Sequence, residues 1–255
     1  MKSFTSGYIG HRIHHFESID STNDYALKLI SQGKSSEGTL ITAEYQSAGR
    51  GQIGRKWEGN PQENAYLSIL LEPRFLPVEK QFMLNMIASL ALVDTIQECA
   101  ALQASIKWPN DIYLGDFKTC GILIQNMLGG KCIQHTIVGI GINVNQSDFP
   151  DDLPNPTSWF LESKKQYEIN AVISVLCGHM EFWYEELKAE NHKKISYAYI
   201  DRLYKCDEES LFMVDGEYFN AIIRGIDSRG KLVVEKEKKM HAYALHEIKM
   251  IIGNR

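Results

Sequence analysis

Ala-Glu-Tyr-Gln-Ser-Ala-Gly-Arg-Gly-Gln-Ile-Gly-Arg-Lys-Trp occupies residues 43–57, and the rest of the chain is organised around this stretch. Its last nine residues hold three glycines, two arginines and one lysine. Glycine lets the backbone approach a ligand closely, and arginine can grip a phosphate or carboxylate with two parallel hydrogen bonds. The composition predicts a loop that wraps an anionic ligand, although an ordinary exposed hairpin connection has the same polar character.

Two common phosphate-binding loops do not match this stretch. A Walker A loop needs Gly-x-x-x-x-Gly-Lys followed by Ser or Thr, which is absent here. A Rossmann fingerprint leads into a helix, whereas residues 65–72 after the loop form a strand-like apolar run. Residues 39–45 before it are also strand-like, so a long connection between two strands is predicted. Connections of that length are often functional or disordered.

Composition and charge narrow the class of protein. The 255 residues are 44% apolar and 23% charged, which is typical of a globular protein with one large domain or a large and a small one. The formal net charge of −5 argues against a general DNA- or RNA-binding protein, whose surface is basic overall. The sequence has no run of 18 apolar residues, so no membrane span is predicted, and no signal peptide is recognisable.

Cysteine and histidine usage predicts a cytoplasmic protein without a metal centre. The five cysteines are widely spaced and include no Cys-x-x-Cys pair, which favours reduced thiols. His11, His14 and His15 have no Cys or carboxylate at ligand spacing, so they are not expected to hold a metal.

Hydrophobic periodicity predicts a mixed α/β core. Strands are expected at residues 12–19, 39–45, 65–72, 118–125 and 133–145, and on both sides of a Trp-Pro-Asn-Asp turn at 108–111. Helices are expected from Ser21 or Thr22 to Gly33, at 81–100, at 170–188 and from there to about residue 203. Gly139 and Gly141 share one face of their strand, which indicates a group packed closely against them; a β-bulge or an ordinary sheet-on-helix contact is the alternative.

The pattern changes after Cys206. Five short alternating runs, 211–214, 219–225, 232–235, 242–245 and 248–252, are separated by Asp- and Gly-containing turns and a Glu/Lys-rich hairpin. The sequence therefore predicts a larger α/β domain at residues 1–204 and a small β-barrel-like domain at 205–255.

Five motifs, in this order, resemble those of biotin–protein ligases. They are Asp20-Ser21-Thr22-Asn23, residues 44–57, Lys107-Trp108-Pro109-Asn110-Asp111-Ile112-Tyr113, Lys118-Thr119-Cys120-Gly121-Ile122-Leu123 and Gly139-Ile140-Gly141-Ile142-Asn143-Val144-Asn145. The resemblance covers nearly the whole chain, more loosely after Ser158. It implies a mixed sheet flanked by helices in a catalytic domain like that of class II aminoacyl-tRNA synthetases, followed by a small SH3-like β-barrel.

The resemblance also implies a reaction in two steps. Biotin's carboxylate attacks the α-phosphate of ATP to give biotinyl-5′-AMP and pyrophosphate, and a lysine of a biotin carboxyl carrier protein then takes the biotin and releases AMP. Mg²⁺ is expected on the phosphates, and positioned cations must offset the repulsion between carboxylate and triphosphate. No enzyme nucleophile is needed, which agrees with the absence of a Ser/His/Asp arrangement.

The matching motifs imply site residues by position. Biotin contacts are expected from Ser21, Thr22, Asn23, Gln46, Gly49, Arg50, Gly51, Gln52, Lys118, Gly121, Leu123 and Gly141. ATP contacts are expected from Arg50, Arg55, Lys56, Trp57, Asn110, Lys118 and Asn143, with residues 155–158 near the adenine. Arg50 and Lys118 are the expected catalytic cations, and Asp111 is a candidate to polarise the carrier lysine. No protein ligand to a metal is assigned.

Two departures from the family pattern affect the interpretation. Gln52 stands where many members have Arg, which leaves open how tightly the adenylate is held. Bifunctional relatives carry an N-terminal DNA-binding domain, whereas the motif at 20–23 here begins almost at once, so a monofunctional ligase that does not bind DNA is expected. Oligomeric state stays open, with a homodimer possible.

The rival functions are a lipoate–protein ligase and a biotin-binding regulator without catalysis. Lipoate ligases share the architecture but differ in the Gly-Arg-Gly and Lys-Trp-Pro-Asn-Asp motifs, and simple binding does not need both Arg50 and Lys118. Within the ligase interpretation, residues 46–51 are expected to form a rigid base at biotin's carboxylate end. Residues 52–57 are expected to order over the adenylate, so 52–55 should be among the most mobile without ligand.

Overall fold

The structure is a computed structural model that describes residues 7–52 and 56–252. Seven of its strands form one mixed sheet: β1 (Ile13–Phe16), β2 (Leu40–Ala43), β3 (Asn64–Leu71), β4 (Ala104–Lys107), β5 (Asp111–Leu114), β6 (Phe117–Gly129) and β7 (Cys132–Asn143). Their spatial order is β1-β2-β3-β7-β6-β5-β4. Strands β1 and β2 pair in parallel, because α1 (Thr22–Ser31) crosses over between them, and the other neighbours pair antiparallel.

Helices cover both faces of this sheet. The main core lies between the sheet and α2 (Phe82–Ala100), α4 (Ile169–Lys188) and α5 (His192–Asp201). On the opposite face, Ala26 and Leu29 of α1 pack with Leu70 of β3 in a smaller cluster. All eight residues of β3 are buried, as expected for a strand that is covered on both sides.

The long apolar helix belongs to the core. The stretch Val78–Ala100 is long and apolar enough to cross a membrane by composition, with a mean hydropathy of 1.2, but most of it is buried inside the protein. Met83 and Met86 are buried there, as predicted for packing residues. Core packing therefore accounts for the composition of this helix.

A second sheet follows α5. Its strands are β8 (Glu209–Val214), β9 (Glu217–Ile226), β10 (Leu232–Lys236), β11 (Lys239–Tyr243) and β12 (Lys249–Met250), in the order β11-β10-β9-β8-β12 with antiparallel pairing. Phe212, Ile223 and Val234 join their buried side chains to the main core. The five predicted runs thus form one sheet, while its closure into an SH3-like barrel and a domain boundary at 204/205 stay predictions.

The predicted elements are present with ends shifted by a few residues. One helix, α3 (Trp159–Ser163), was not predicted, because five residues carry too little periodicity. Ser158 caps it by accepting a hydrogen bond from the Leu161 amide at 3.1 Å.

Candidate active site

One cleft on the α1 side of the large sheet contains most of the predicted site residues. It encloses about 90 Å³, which is small beside the roughly 300–1,000 Å³ of most small-molecule sites. The predicted residues that line it are Ser21, Thr22, Asn23, Gln46, Arg50, Gly51, Gln52, Lys56, Trp57, Asn110, Asp111, Lys118, Gly121, Leu123 and Gly141.

Two predicted residues among those described are not on the wall of this cleft, Gly49 and Asn143. At Gly49 a Cβ atom would come within 2.4 Å of the Trp57 carbonyl oxygen, so the backbone requires glycine. Asn143 is buried and its side-chain amide donates to the Thr157 carbonyl at 3.0 Å. Arg55 lies outside the described residues, so its contact with ATP and the mobility of residues 52–55 stay predictions.

Four residues that were not predicted also line the cleft: Leu67, Ile122, Gly139 and Ile140. Gly139 carried a signal in the sequence, because it forms a pair with Gly141 on one strand face. The other three are ordinary apolar strand residues, and strand periodicity alone does not distinguish them from the rest of the core.

The polar end of the cleft is built at the start of α1. Ser21 is the N-cap, as predicted, and its hydroxyl accepts from the Asp24 amide at 3.4 Å. The backbone amide of Thr22 donates to Gln46 Oε1 at 2.8 Å, and the Thr22 hydroxyl lies 3.1 Å from the same oxygen. Gln46 begins the glycine- and arginine-rich loop, so these bonds join the loop to the helix terminus.

The floor of the cleft is a strip of glycines against which the Trp57 indole lies. A Cβ atom would come within 2.6 Å of this ring at Gly121 and within 2.3 Å at Gly141. The close packing predicted from the two glycines of β7 is therefore present at Gly141. Because the indole lies across the strip, it reduces the enclosed space, and its buried N–H has no hydrogen-bond partner in the described protein.

The loop that carries Trp57 folds back on itself. The Trp57 amide donates to the Gly49 carbonyl at 2.9 Å, and Arg50 and Lys56 form an antiparallel bridge. The predicted long connection between two strands is present between Ala43 and Asn64, and these two pairings join its residues 49–50 to residues 56–57.

Both predicted catalytic cations are held by carboxylates. Lys118 Nζ lies 2.7 Å from Asp111 Oδ1, and Arg50 Nη2 lies 3.0 Å from Asp24 Oδ2. Lys118 Nζ also lies 5.5 Å from the centre of the Trp57 ring, within the range of a cation–π contact. The cations are therefore in place for an anion, which can displace Asp24 and Asp111 or use the remaining N–H donors beside them. Asp24 was not predicted as a site residue.

A segment predicted to lie near the adenine runs beside Lys118. The Lys118 amide donates to the Asn155 carbonyl at 2.7 Å, and the Thr157 amide donates to the Lys118 carbonyl at 2.9 Å. Asn143 holds the same segment through its bond to Thr157. Asn143 thus holds the segment that pairs with the backbone of Lys118.

Among the residues that the structure describes, the cleft has neither a cysteine nucleophile nor a cluster of metal ligands. Burial raises the pKa of the Cys120 thiol well above its ordinary value, so this residue beside the cleft stays protonated at neutral pH. Across residues 7–52 and 56–252, no group of three or more His, Cys, Asp and Glu side chains is arranged to hold a metal ion.

Comparison with known proteins agrees with this arrangement. Residues 15–143 match the model of the biotin/lipoate A/B protein ligase family. The chain is 32% identical over 228 residues to the bifunctional ligase/repressor BirA of Escherichia coli, covering 86% of this chain and 68% of that one. It is 30% identical over 223 residues to a biotin--[acetyl-CoA-carboxylase] ligase of Paracoccus denitrificans, covering 84% and 90%.

Some relatives are much longer. The bifunctional ligase/repressor BirA of Bacillus subtilis is 40% identical over 145 residues, and the match covers 56% of this chain but only 44% of that protein. Among solved structures, a biotin protein ligase from Aquifex aeolicus in complex with biotin and ATP superposes with a TM-score of 0.81 over 95% of this chain and 99% of its own. Its sequence identity of 24% means that this likeness shows the fold alone.

Proposed function

Because this chain belongs to the biotin/lipoate A/B protein ligase family, we propose that it is a biotin–protein ligase. It activates biotin with ATP to biotinyl-5′-AMP and transfers the biotin to a lysine of a biotin carboxyl carrier protein. The observation that carries the proposal is that Arg50 and Lys118 reach the same cleft as the polar side chains of Thr22, Asn23 and Gln46. One ligand with a polar ring and an acidic tail can contact both groups of residues.

The two groups of residues suit the two ends of biotin. In this proposal the ureido ring, which both donates and accepts hydrogen bonds, binds at Thr22, Asn23 and Gln46. The carboxylate of biotin then points toward Arg50 and Lys118. Gly121 and Gly141 offer a flat floor between the two ends once the Trp57 indole has moved off them, because neither residue has a side chain to obstruct a ligand.

The first step joins two anions, so charge is its main obstacle. A carboxylate oxygen of biotin attacks the α-phosphorus of ATP, the bond to the bridging oxygen breaks, and pyrophosphate leaves. Arg50 and Lys118 exchange their carboxylate partners for phosphate oxygens and stabilise the developing charge. The ion pairs with Asp24 and Asp111 hold both cations near that position before the nucleotide binds.

The carboxylates of the cleft suit Mg²⁺ only when the phosphates of the nucleotide supply further ligands. Mg²⁺ commonly takes one or two carboxylates together with phosphate oxygens and water. Asp24 and Asp111 are the candidates on or beside the cleft wall, and each is already paired with a cation. When bound, Mg²⁺ would neutralise charge on the phosphates.

The second step needs an unprotonated lysine. The amine of the carrier lysine attacks the acyl carbon of the adenylate, the bond to the phosphate oxygen breaks, and AMP leaves while the amine loses a proton. Asp111 becomes free to accept that proton when Lys118 turns to the phosphate. The name of the Paracoccus relative, a biotin--[acetyl-CoA-carboxylase] ligase, supports a carboxylase biotin carrier as the acceptor.

One assay tests the proposal. Purified protein is incubated with Mg²⁺-ATP, a biotin carrier domain, and either biotin or lipoate. Pyrophosphate release with biotin and the added mass of biotin on the carrier support it. Transfer of lipoate instead would make the protein a lipoate ligase, and binding of biotin without pyrophosphate release would make it a binding module. A cytoplasmic location, dimerisation and the absence of DNA binding stay predictions.

A further inference from the structure

Ser68 is a completely buried residue that contacts two side chains of the cleft. It lies in the middle of β3, and none of its surface is exposed. Its hydroxyl oxygen is 2.6 Å from Asn23 Oδ1 and 2.8 Å from Thr22 Oγ1. Ser68 does not line the cleft, so any effect on a ligand must pass through Thr22 and Asn23.

Counting hydrogens sets the direction of these bonds. Asn23 Oδ1 can only accept, so Ser68 donates its single hydroxyl hydrogen to it. Gln46 Oε1 can also only accept, so the Thr22 hydroxyl, like the Thr22 backbone amide, donates to it. The Thr22 oxygen is then a second acceptor for the Ser68 hydroxyl. Ser68 is therefore the donor to both Thr22 and Asn23, with the shorter contact to Asn23.

Asn23 is held from three sides. Its Nδ2 donates to Gln125 Oε1 at 3.0 Å, while Ser68 holds its oxygen. Below it, a Cβ atom at Gly139 would come within 2.2 Å of Asn23 Oδ1, so the amide is packed directly on the strand. A flip of the amide would turn its oxygen toward the Gln125 oxygen and take its nitrogen away from that acceptor.

We propose that Ser68 is a positioning residue that sets the hydrogen-bonding pattern of Thr22 and Asn23 toward the ligand ring. The inference rests on the proposed function. A ureido ring presents two N–H donors and one carbonyl acceptor, so it needs each group of the site in one orientation. The disulfide ring of lipoate offers no such groups, and a site that is built for hydrogen bonds rejects analogues that lack them. Ser68 therefore contributes to the choice of acid.

The test compares two buried serines. In Ser68→Ala the amide of Asn23 loses its fixed orientation, so the biotin Kd measured by calorimetry should rise about tenfold. The KM for ATP should stay within about twofold, since Ser68 contacts only the polar end. Ser89→Ala is the matched control, because Ser89 is equally buried in α2 and its hydroxyl has no hydrogen-bond partner in the described protein. It should bind biotin like the wild type.

A double-mutant comparison separates positioning from general damage. If Ser68 acts through Asn23, adding Ser68→Ala to Asn23→Ala should change the biotin Kd by less than about twofold. Should Ser68→Ala unfold, Ser68→Cys keeps the size and a weak donor and should show a smaller rise. An unchanged Kd in Ser68→Ala, an equal rise in the KM for ATP, or a full effect in the Asn23→Ala background would each overturn the inference. Failure of the wild-type protein to bind biotin would instead refute the proposed function, and this inference with it.

Discussion

Lys118 Nζ lies 2.7 Å from Asp111 Oδ1 on the wall of the cleft, and a β-bulge makes this ion pair possible. Strands β5 and β6 pair Asp111 with Gly121 and Tyr113 with Lys118, with a register shift between them. In a regular strand Lys118 would face the side opposite to Gly121, since the two are an odd number of positions apart. The extra residue of the bulge turns Lys118 to the Gly121 face.

This ion pair allows a test of Asp111 in the second step. Asp111→Asn removes the proton acceptor but leaves the cations, so pyrophosphate release should stay within about threefold while carrier biotinylation at pH 7 falls at least about 100-fold. Raising the pH toward 9 should reduce the loss of transfer, because a free lysine has a pKa of about 10.4 and a larger fraction of the carrier lysine becomes unprotonated. The mass of the carrier reports the transfer, and normal transfer at pH 7 would exclude this role.

The glycine floor predicts a steric effect on ligand binding. In Gly141→Ala the new methyl group would come within 2.3 Å of the Trp57 indole, so the ring is displaced and the floor is no longer flat. Biotin affinity should fall more than about tenfold, as measured by calorimetry.

Gly178 provides the matched control for this substitution. It lies in α4 with open space where a Cβ atom would be. Gly178→Ala should raise the free energy of unfolding by about 0.5–1 kcal/mol, as seen in urea unfolding, and leave biotin affinity unchanged. A similar loss of affinity in both variants would count against the steric explanation.

The second sheet contacts the turn that carries Asn110 and Asp111. The Trp108 indole N–H donates to the Gly230 carbonyl at 2.9 Å. Trp108→Phe keeps an aromatic ring but removes this bond, so it should cost about 1 kcal/mol of stability and lower the rate of pyrophosphate release several-fold.

Trp183→Phe separates the expected effect of Trp108→Phe on stability from its expected effect on the rate of pyrophosphate release. It removes the comparable bond from Trp183 to Asp94, 2.7 Å long, which lies in the helical layer and not on the cleft. Its stability in urea unfolding should fall by at least as much, because the acceptor is a carboxylate, with the rate of pyrophosphate release unchanged. Equal rates of pyrophosphate release in the two variants would show that the contact between Trp108 and Gly230 does not affect the reaction in the cleft.

The lowered pKa of His14 predicts that the protein loses stability in mild acid. Burial, and then the charge of Arg12, lower the pKa of His14 in the folded protein. The unfolded chain takes up a proton near pH 6.5, whereas folded His14 stays neutral to a lower pH. The unfolded state therefore binds more protons below about pH 6.5, and the free energy of unfolding falls as the pH decreases.

A neutral substitution should remove part of this pH dependence. Urea unfolding of His14→Gln at pH 7, 6 and 5 should show a shallower fall than the wild type. His192, whose pKa is lowered by burial and by Lys80, keeps its own share of the effect in that variant. An unchanged slope in His14→Gln would contradict the assignment.

The sequence by itself determined the elements and most members of the cleft. The apolar run of β3 and the apolar helix α2 follow from local periodicity, which each segment carries independently of the others. The N-cap at Ser21 is also local, because a polar cap and the first turn are neighbours in the chain. Short motifs then identified the loop, the Trp-Pro-Asn-Asp turn and Lys118 as parts of one site.

Only the tertiary structure decided how these parts meet. In the sequence, Ser68 is only one small residue in an apolar strand. Its contact with Asn23 exists because the register of the sheet places β3 under the start of α1. The face on which Lys118 lies depends on one bulge, and the position of Trp57 depends on glycines more than 60 residues away in the chain. Such contacts are set by strand register and packing, which a local sequence pattern does not contain.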